Sequence, residues 1–256
     1  MDVFPTNDYR NKRLWATYLP HARYVLKSRY FRESSEETWL LLRKVGRCLL
    51  ADGMYSEAEG PFAQIMELNL RFLGEEHPDS LTSMSDMELT YMNQGRWAEA
   101  EALEVRVLHT RERVLGKEHL DTLTSIENLA STFRSQGRLS EAEGLGVQVI
   151  QIRKKVLGQE HPATLTSMAN LALTYWNQGR WKEAEELDLR AMETSKRVLS
   201  EGHPDTLTSM NNLALTFQSQ GRWEVAEELG VRVMETKKKV LGEEHPDTLA
   251  SMKNWR

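Results

Sequence analysis

The sequence predicts an all-α protein built from stacked antiparallel helix pairs, and three observations predict it. First, the loop string His-Pro-Asp or a near variant starts at His77, His119, His161, His203 and His245, always 42 residues apart. A second string keeps the same shift, from Gln94-Gly95-Arg96 through Gln136-Gly137-Arg138 and Gln178-Gly179-Arg180 to Gln220-Gly221-Arg222. A period of this size marks a solenoid, a propeller or an array. Second, apolar residues within one period stand three and four apart: Leu165, Met168, Leu171, Ala172 and Tyr175, then Trp181, Ala184, Leu187 and Ala191. That spacing puts them on one buried face of a helix. Third, no segment shows a convincing strand period of two.

Along the chain, residues 1–34 form a leader expected to pack on the first repeat as a helix or linker. Residues 35–76 form that repeat. Stepping back 42 from His77 reaches Ser35, where the loop signature is lost, yet Gly53 keeps the register of Gly95. Pro61 is expected to kink or shorten its second helix, because proline lacks the N–H and clashes with the preceding turn. Repeats 77–118, 119–160, 161–202 and 203–244 follow. In most of them His-Pro opens the first helix, proline being tolerated at the first helical position; His119-Leu120 loses it. Gly179 and its equivalents are placed to end the first helix in a left-handed conformation. Repeats 161–202 and 203–244 share 28 of 42 residues, so recent duplication accounts for shared residues as well as shared roles do. Residues 245–256 are a truncated sixth repeat with Met252 and Trp255 at core positions. Solenoids normally end in a polar cap, so this end is expected to be frayed, to self-associate with another chain, or to belong to a longer array.

Composition narrows the function. The 256 residues are 40% hydrophobic, enough for a core, and the single Cys48 excludes a disulfide framework or a Cys-rich metal site. No run of 18 apolar residues could span a membrane, and Met1 to Arg10 is too polar for a secretory signal. A net charge of −5 argues against nucleic-acid binding. A cytoplasmic location is expected. No GxxxxGK[ST], GxGxxG or GxSxG string occurs, and Gly144-Leu145-Gly146 falls inside a helix. The loop histidines lie one per repeat, which favours a structural role over metal binding. Glu-Ala-Glu segments read as a solvated helix face, Cys48 as a buried filler, and Trp97, Trp181 and Trp223 as inter-repeat core. No catalytic residue, cofactor or metal is expected.

The pattern Leu165-x-x-Met168-x-x-Leu171-Ala172-x-x-Tyr175-x-x-x-Gly179-x-Trp181-x-x-Ala184 resembles the tetratricopeptide repeat, and the 42-residue period is closer still to the kinesin light chain type of that repeat. In fungi such arrays often follow a nucleotide-binding domain of the NB-ARC type. The leader segment Leu14 to Ala22 looks like the joint between the two. The resemblance implies a right-handed superhelix whose first helices line a concave groove that holds extended peptides. It implies a non-enzymatic scaffold for a protein or peptide partner. The alternative is a self-associating or sensing region of a larger NB-ARC-type receptor.

Carried onto this sequence, groove positions are Thr166, Ala169, Asn170, Leu173, Trp176 and Asn177 in the fourth repeat, then Thr208, Asn211, Asn212, Leu215, Gln218 and Ser219 in the fifth. The second and third repeats offer Ser85, Leu89, Met92 and Asn93, then Glu127, Asn128, Ser131, Arg134 and Ser135; the first offers Arg43 and Arg47. Asn128, Asn170 and Asn212 form a ladder that Asp86 and Lys44 interrupt. An amide can donate to a peptide carbonyl and accept from its N–H, but surface filler or a local helix bond is the competing reading. Trp176 replaces Met92, Arg134 and Gln218, so it is either the wall of an anchor pocket or packs on a neighbouring helix. Arg43 and Arg47 would make the N-terminal end attractive to an acidic peptide, against Asp86 and Glu127, while the C-terminal end is neutral. No dedicated clamp for a C-terminal carboxylate is expected.

Overall fold

Each helix pair is set by two chemically different turns. Between first and second helix stands Gln-Gly-Arg, whose glycine takes a positive φ of 74° at Gly95 and 75° at Gly179. The arginine N–H then reaches back to the carbonyl five residues earlier, Arg96 to Tyr91 and Arg180 to Tyr175 at 2.9 Å. These are the bonds that satisfy a helix C-terminus. Between second and first helix stands histidine. Nδ1 of His77, His119, His161, His203 and His245 accepts the backbone N–H two residues on, at 3.1–3.2 Å. Each histidine therefore caps a helix N-terminus, satisfying a donor that the helix leaves open. His119 does so beside Leu120 as well, which explains why that repeat tolerates the loss of proline.

The computed structural model describes residues 12–27 and 36–254. Ser35 and Trp255 lie outside them, as do residues 1–11 and 28–34 of the leader. The described residues form α1 (Lys12–Lys27), α2 (Glu36–Ala51), α3 (Tyr55–Phe72), α4 (Pro78–Asn93), α5 (Trp97–Leu115) and α6 (Leu120–Ser135). There follow α7 (Leu139–Val156), α8 (Pro162–Asn177), α9 (Trp181–Val198), α10 (Pro204–Ser219), α11 (Trp223–Leu241) and α12 (Pro246–Asn254). No strand occurs among the described residues. First helices from α4 onward begin 42 residues apart.

The chain divides into two compact units, 1–117 and 118–256. In the first, Trp15, Leu19 and Ala22 of α1 join Leu42, Val45 and Leu49 of α2 with Phe62 and Ile65 of α3 in one core. The leader helix thereby covers the apolar face of the first pair. Cys48 is fully buried there, and burial pushes its thiol up to about 11. It is neutral filler. α3 runs through Pro61 to the same 18 residues as α7 and α9, so the expected shortening does not occur. Phe62, Ile65 and Leu68 are buried just beyond the proline, and packing of that face holds the helix. In the second unit, α6, α8 and α10 touch one another in a row, α7 and α9 pack between successive members of that row, and α11 packs between α10 and α12.

Two expectations are corrected. Trp97, Trp181 and Trp223 are 41%, 41% and 62% exposed and do not form the inter-repeat core. They are the first residues of α5, α9 and α11, at the rim of the turn. The inward position belongs to Phe133 and Phe217, which are buried, and to Tyr91 and Tyr175, which are partly buried, each with an arginine of the Gln-Gly-Arg string lying 3.8–4.2 Å over its ring. The Glu-Ala-Glu segments are likewise not simply solvated. Glu143 accepts from Gln178 at 2.9 Å and Arg180 at 2.8 Å, and Glu59 and Glu185 do the same with Gln94/Arg96 and Gln220/Arg222. The Arg180 and Gln178 hydrogen bonds hold the Glu143 carboxyl below its ordinary range. The string is a staple between repeats, and each half-exposed pair contributes at most about 1 kcal/mol.

The loop before each histidine needs a second positive φ, 84–95° at Gly74, Gly116, Gly158 and Gly242. Ser200 fills that place in the fourth repeat with φ 97°, the non-glycine residue with positive φ among those described. Such strain is worth about 1–3 kcal/mol, partly offset by the freedom glycine has in the unfolded chain. Ser200→Gly should stabilise by roughly 1 kcal/mol, read as a higher thermal midpoint; a lower midpoint would contradict the strain.

Candidate functional site

Of the side chains expected in the groove, those of the second unit lie on α6, α8 and α10. Thr166 and Thr208 are exposed and bond back to the carbonyls of Pro162 and Pro204 at 3.1 and 3.0 Å. Asn177 donates to the Leu173 carbonyl at 2.7 Å, and in the first unit Asn93 does the same to Leu89. For these two asparagines the local helix bond is the observed state. Asn170 is exposed, and its side chain bonds to Glu127 one repeat earlier. Asn128, Asn211, Asn212, Leu215 and Gln218 are half-buried and Ala169 is buried. The Trp176 indole N–H donates to the Ser219 hydroxyl at 2.8 Å, so this ring packs toward α10.

Charge is distributed less evenly than the sequence implied. In the first unit Arg43 pairs with Asp79 at 3.1 Å and Arg47 with Asp86 at 3.2 Å. Burial pushes the Asp86 carboxyl up, and Arg47 offsets this. Both arginines expected to draw an acidic peptide are thus answered by aspartates of the following repeat. Nearby, Ser85 is half-buried, while Leu89 and Asn93 are exposed. In the second unit Glu127 pairs with Arg153 at 2.8 Å, both side chains nearly buried. Arg153 also donates to Ser167 and to the Ala163 carbonyl at 2.8 Å. Burial pushes the Glu127 carboxyl up, while Ser167, Arg153 and Asn170 pull it down.

Arg134 is different. Its guanidinium donates to the Ser131 hydroxyl at 3.0 Å and the Asn170 carbonyl at 3.4 Å, both neutral. Burial lowers its pKa. The structure therefore brings Ser131 and Arg134 of α6 together with the Asn170 carbonyl of α8, and among the described residues no carboxylate pairs with this partly buried cation. Sequence reasoning missed Arg153, which lies in α7 outside the row. The repeat position is basic at Arg111, Arg153 and Lys237 and neutral at Asn69 and Ser195, so no sequence signal singles Arg153 out. Among the described residues no group of three or more His, Cys, Asp or Glu side chains could hold a metal ion, and no helix is long and apolar enough to cross a membrane.

Profiles of the tetratricopeptide repeat match residues 80–121, 122–163 and 163–239. The chain belongs to the tetratricopeptide repeat family. Members of this family are scaffolds used typically for protein interactions, and its solved structures repeat the architecture described above. A single-residue variant of a kinesin light chain-like protein with nearly identical repeats, from Podospora anserina, is 30% identical. That match covers 81% of this chain and 99% of the other, with a TM-score of 0.64. BtubC from P. vanneervenii, 18% identical, superimposes with a TM-score of 0.65 over 93% of each chain. A nucleotide-binding leucine-rich repeat (NLR)-like protein of Hyaloscypha variabilis is 42% identical over 84 residues. Those residues are 32% of this chain and 8% of that protein, so this tetratricopeptide chain matches a small fraction of the relative's length.

Proposed function

We propose that this tetratricopeptide protein is a non-enzymatic scaffold whose first-helix face in the second unit holds an extended segment of a protein partner, with an acidic side chain seated on Arg134. The carrying observation is that Arg134 is partly desolvated and, among the described residues, donates only to neutral groups. Hydrogen bonds between a guanidinium and a carboxylate are about twice as strong as neutral ones, and they strengthen further away from bulk water. Asn128, Asn170 and Asn212 supply amides for a peptide backbone. Leu215 and the Trp176 ring add apolar surface beside them. A protein of similar fold, NprR, 12% identical with a TM-score of 0.68, was solved in complex with its cognate peptide NprX.

A display library of linear peptides, selected on the whole chain, tests the proposal. Selected peptides should carry Asp or Glu, bind more weakly as salt rises, and lose at least about tenfold in affinity, or ~1.4 kcal/mol, against Arg134→Gln. Asn170→Ala, Trp176→Ala and Asn212→Ala together should weaken them again. Binding that survives both variants in folded protein would place the site elsewhere.

The Hyaloscypha relative favours a second reading, in which the repeats are the sensing or self-associating part of a larger nucleotide-binding receptor. Coding sequence upstream that holds a phosphate-binding loop would support it. Light scattering that shows a monomer at high concentration would remove self-association.

A further inference from the structure

Helix α9 buries a carboxylic acid where α7 and α11 have glycine. Asp188 occupies the repeat position of Gly146 and Gly230 and is 1% exposed. The position is tight, for a Cβ on Gly146 would stand 3.1 Å from the Leu171 side chain. The Asp188 carboxyl receives one hydrogen bond, from the Thr216 hydroxyl at 3.4 Å, and its Oδ1 has no partner. That distance is long for an O–H···O bond.

Among the described residues no cation answers it. α9 packs against α8 and α10, and its Leu187 and Met192 also join side chains of α7 and α11 in the core. On α7 Arg153 is paired with Glu127, and on α11 Arg232 is paired with Glu201. α8 carries no Asp, Glu, Lys or Arg, and its ionisable side chain is Tyr175, which lies under the Arg180 guanidinium. α10 carries only Asp205, in its first turn, beside His203 at the cap. On α9 itself Glu185 is held by Gln220 and Arg222, and Glu186 and Arg190 are exposed. A carboxylate in such surroundings has lost its water without gaining a counter-charge, so the neutral acid is favoured. Burial pushes the group up to about 8, and the Thr216 hydroxyl opposes it only weakly.

We propose that Asp188 makes the junction of α9 and α10 proton-dependent, fitting its site as a neutral acid and disrupting it when ionised. In the unfolded chain an aspartate ionises near 3.9. The folded chain thus holds a proton that the unfolded chain has released, across a window from about pH 4 to about pH 8. Stability falls as pH rises through that window and levels off above it. Four pH units correspond to roughly 10⁴-fold tighter proton binding in the folded state. α10 also carries Asn212 and Leu215, so ionisation would disturb the proposed partner face. The proton-dependent junction itself stands whether or not that face binds a peptide.

Thermal unfolding of the whole chain from pH 5 to 9 tests this in wild type, Asp188→Asn and Asp188→Gly, the last restoring the residue of the sister helices. Glu127 and Asp86 also titrate, so the deciding quantity is the difference between curves. The wild-type midpoint should lose several degrees more than either variant between pH 5 and 8. Parallel curves for the three proteins would overturn the proposal. Carboxyl ¹³C titration of the native wild type gives an answer without any variant folding. A midpoint near 8 for the assigned Asp188 carboxyl supports the proton-dependent junction, and one below 6 overturns it.

Discussion

Arg153→Ala should destabilise the second unit by about 3–5 kcal/mol, the usual result of removing one partner from a buried ion pair. Arg153 is 5% exposed and bonds to Glu127, Ser167 and the Ala163 carbonyl. Its removal leaves the Glu127 carboxylate with only Ser167 and Asn170 as donors. Burial already pushes this carboxyl up, and without the guanidinium it rises further. A raised folded-state value means that the acid folds protonated at low pH and is charged and unpaired at high pH. The loss should therefore be largest at neutral and alkaline pH and shrink toward pH 4. Urea unfolding at two pH values measures both effects. Arg153→Met with Glu127→Leu should recover most of the stability, since apolar residues of similar volume replace a buried pair at little cost. A single-variant loss below about 1 kcal/mol would mean that the pair is effectively solvated.

Much of this fold was legible because a repeat states its rules several times. The His-Pro and Gln-Gly-Arg strings mark where first helices begin and end, and the structure starts α4, α8 and α10 at the prolines after His77, His161 and His203. The tryptophans misled because a residue opening a helix shares the apolar register of the helix without facing inward. Trp181 stands at the rim while Tyr175, under Arg180, is partly buried against the core. Two buried acids escaped notice for the opposite reason. Glu104 and Asp188 sit in helices rich in exposed glutamate, and only their repeat position, shared with Phe62, Gly146 and Gly230, distinguishes them. The charge expected at the groove failed on pairings between repeats. Arg43 and Arg47 meet Asp79 and Asp86, 36 and 39 residues on, and a separation slightly short of one period joins neighbouring first helices. Arg134 meets the Asn170 carbonyl by the same geometry and finds no acid.

Gly46→Ala should destabilise the first unit by about 1–3 kcal/mol through overpacking, although alanine is the better helix former by about 1 kcal/mol. A Cβ at Gly46 would stand 2.6 Å from the Phe62 ring, whose side chain is fully buried. The repeats of the second unit exchange the volumes: Ala130, Ala172 and Ala214 take the place of Gly46, and Gly146, Asp188 and Gly230 that of Phe62, while the second repeat has Glu88 and Glu104 there. Phe62→Ala alone should open a cavity worth about 3–5 kcal/mol. With Phe62→Ala in place, Gly46→Ala should become neutral or stabilising, because the ring it struck is gone and its helix propensity remains. The double-mutant cycle should then show a favourable coupling of at least about 1 kcal/mol, well beyond the few tenths seen for independent sites. Equilibrium denaturation of the four proteins measures it, and additive losses would mean that the two positions do not compete for space. In the first pair, then, one ring fills the gap between α2 and α3 that small residues fill in the second unit. The helix that bears Pro61 is anchored at the very next residue.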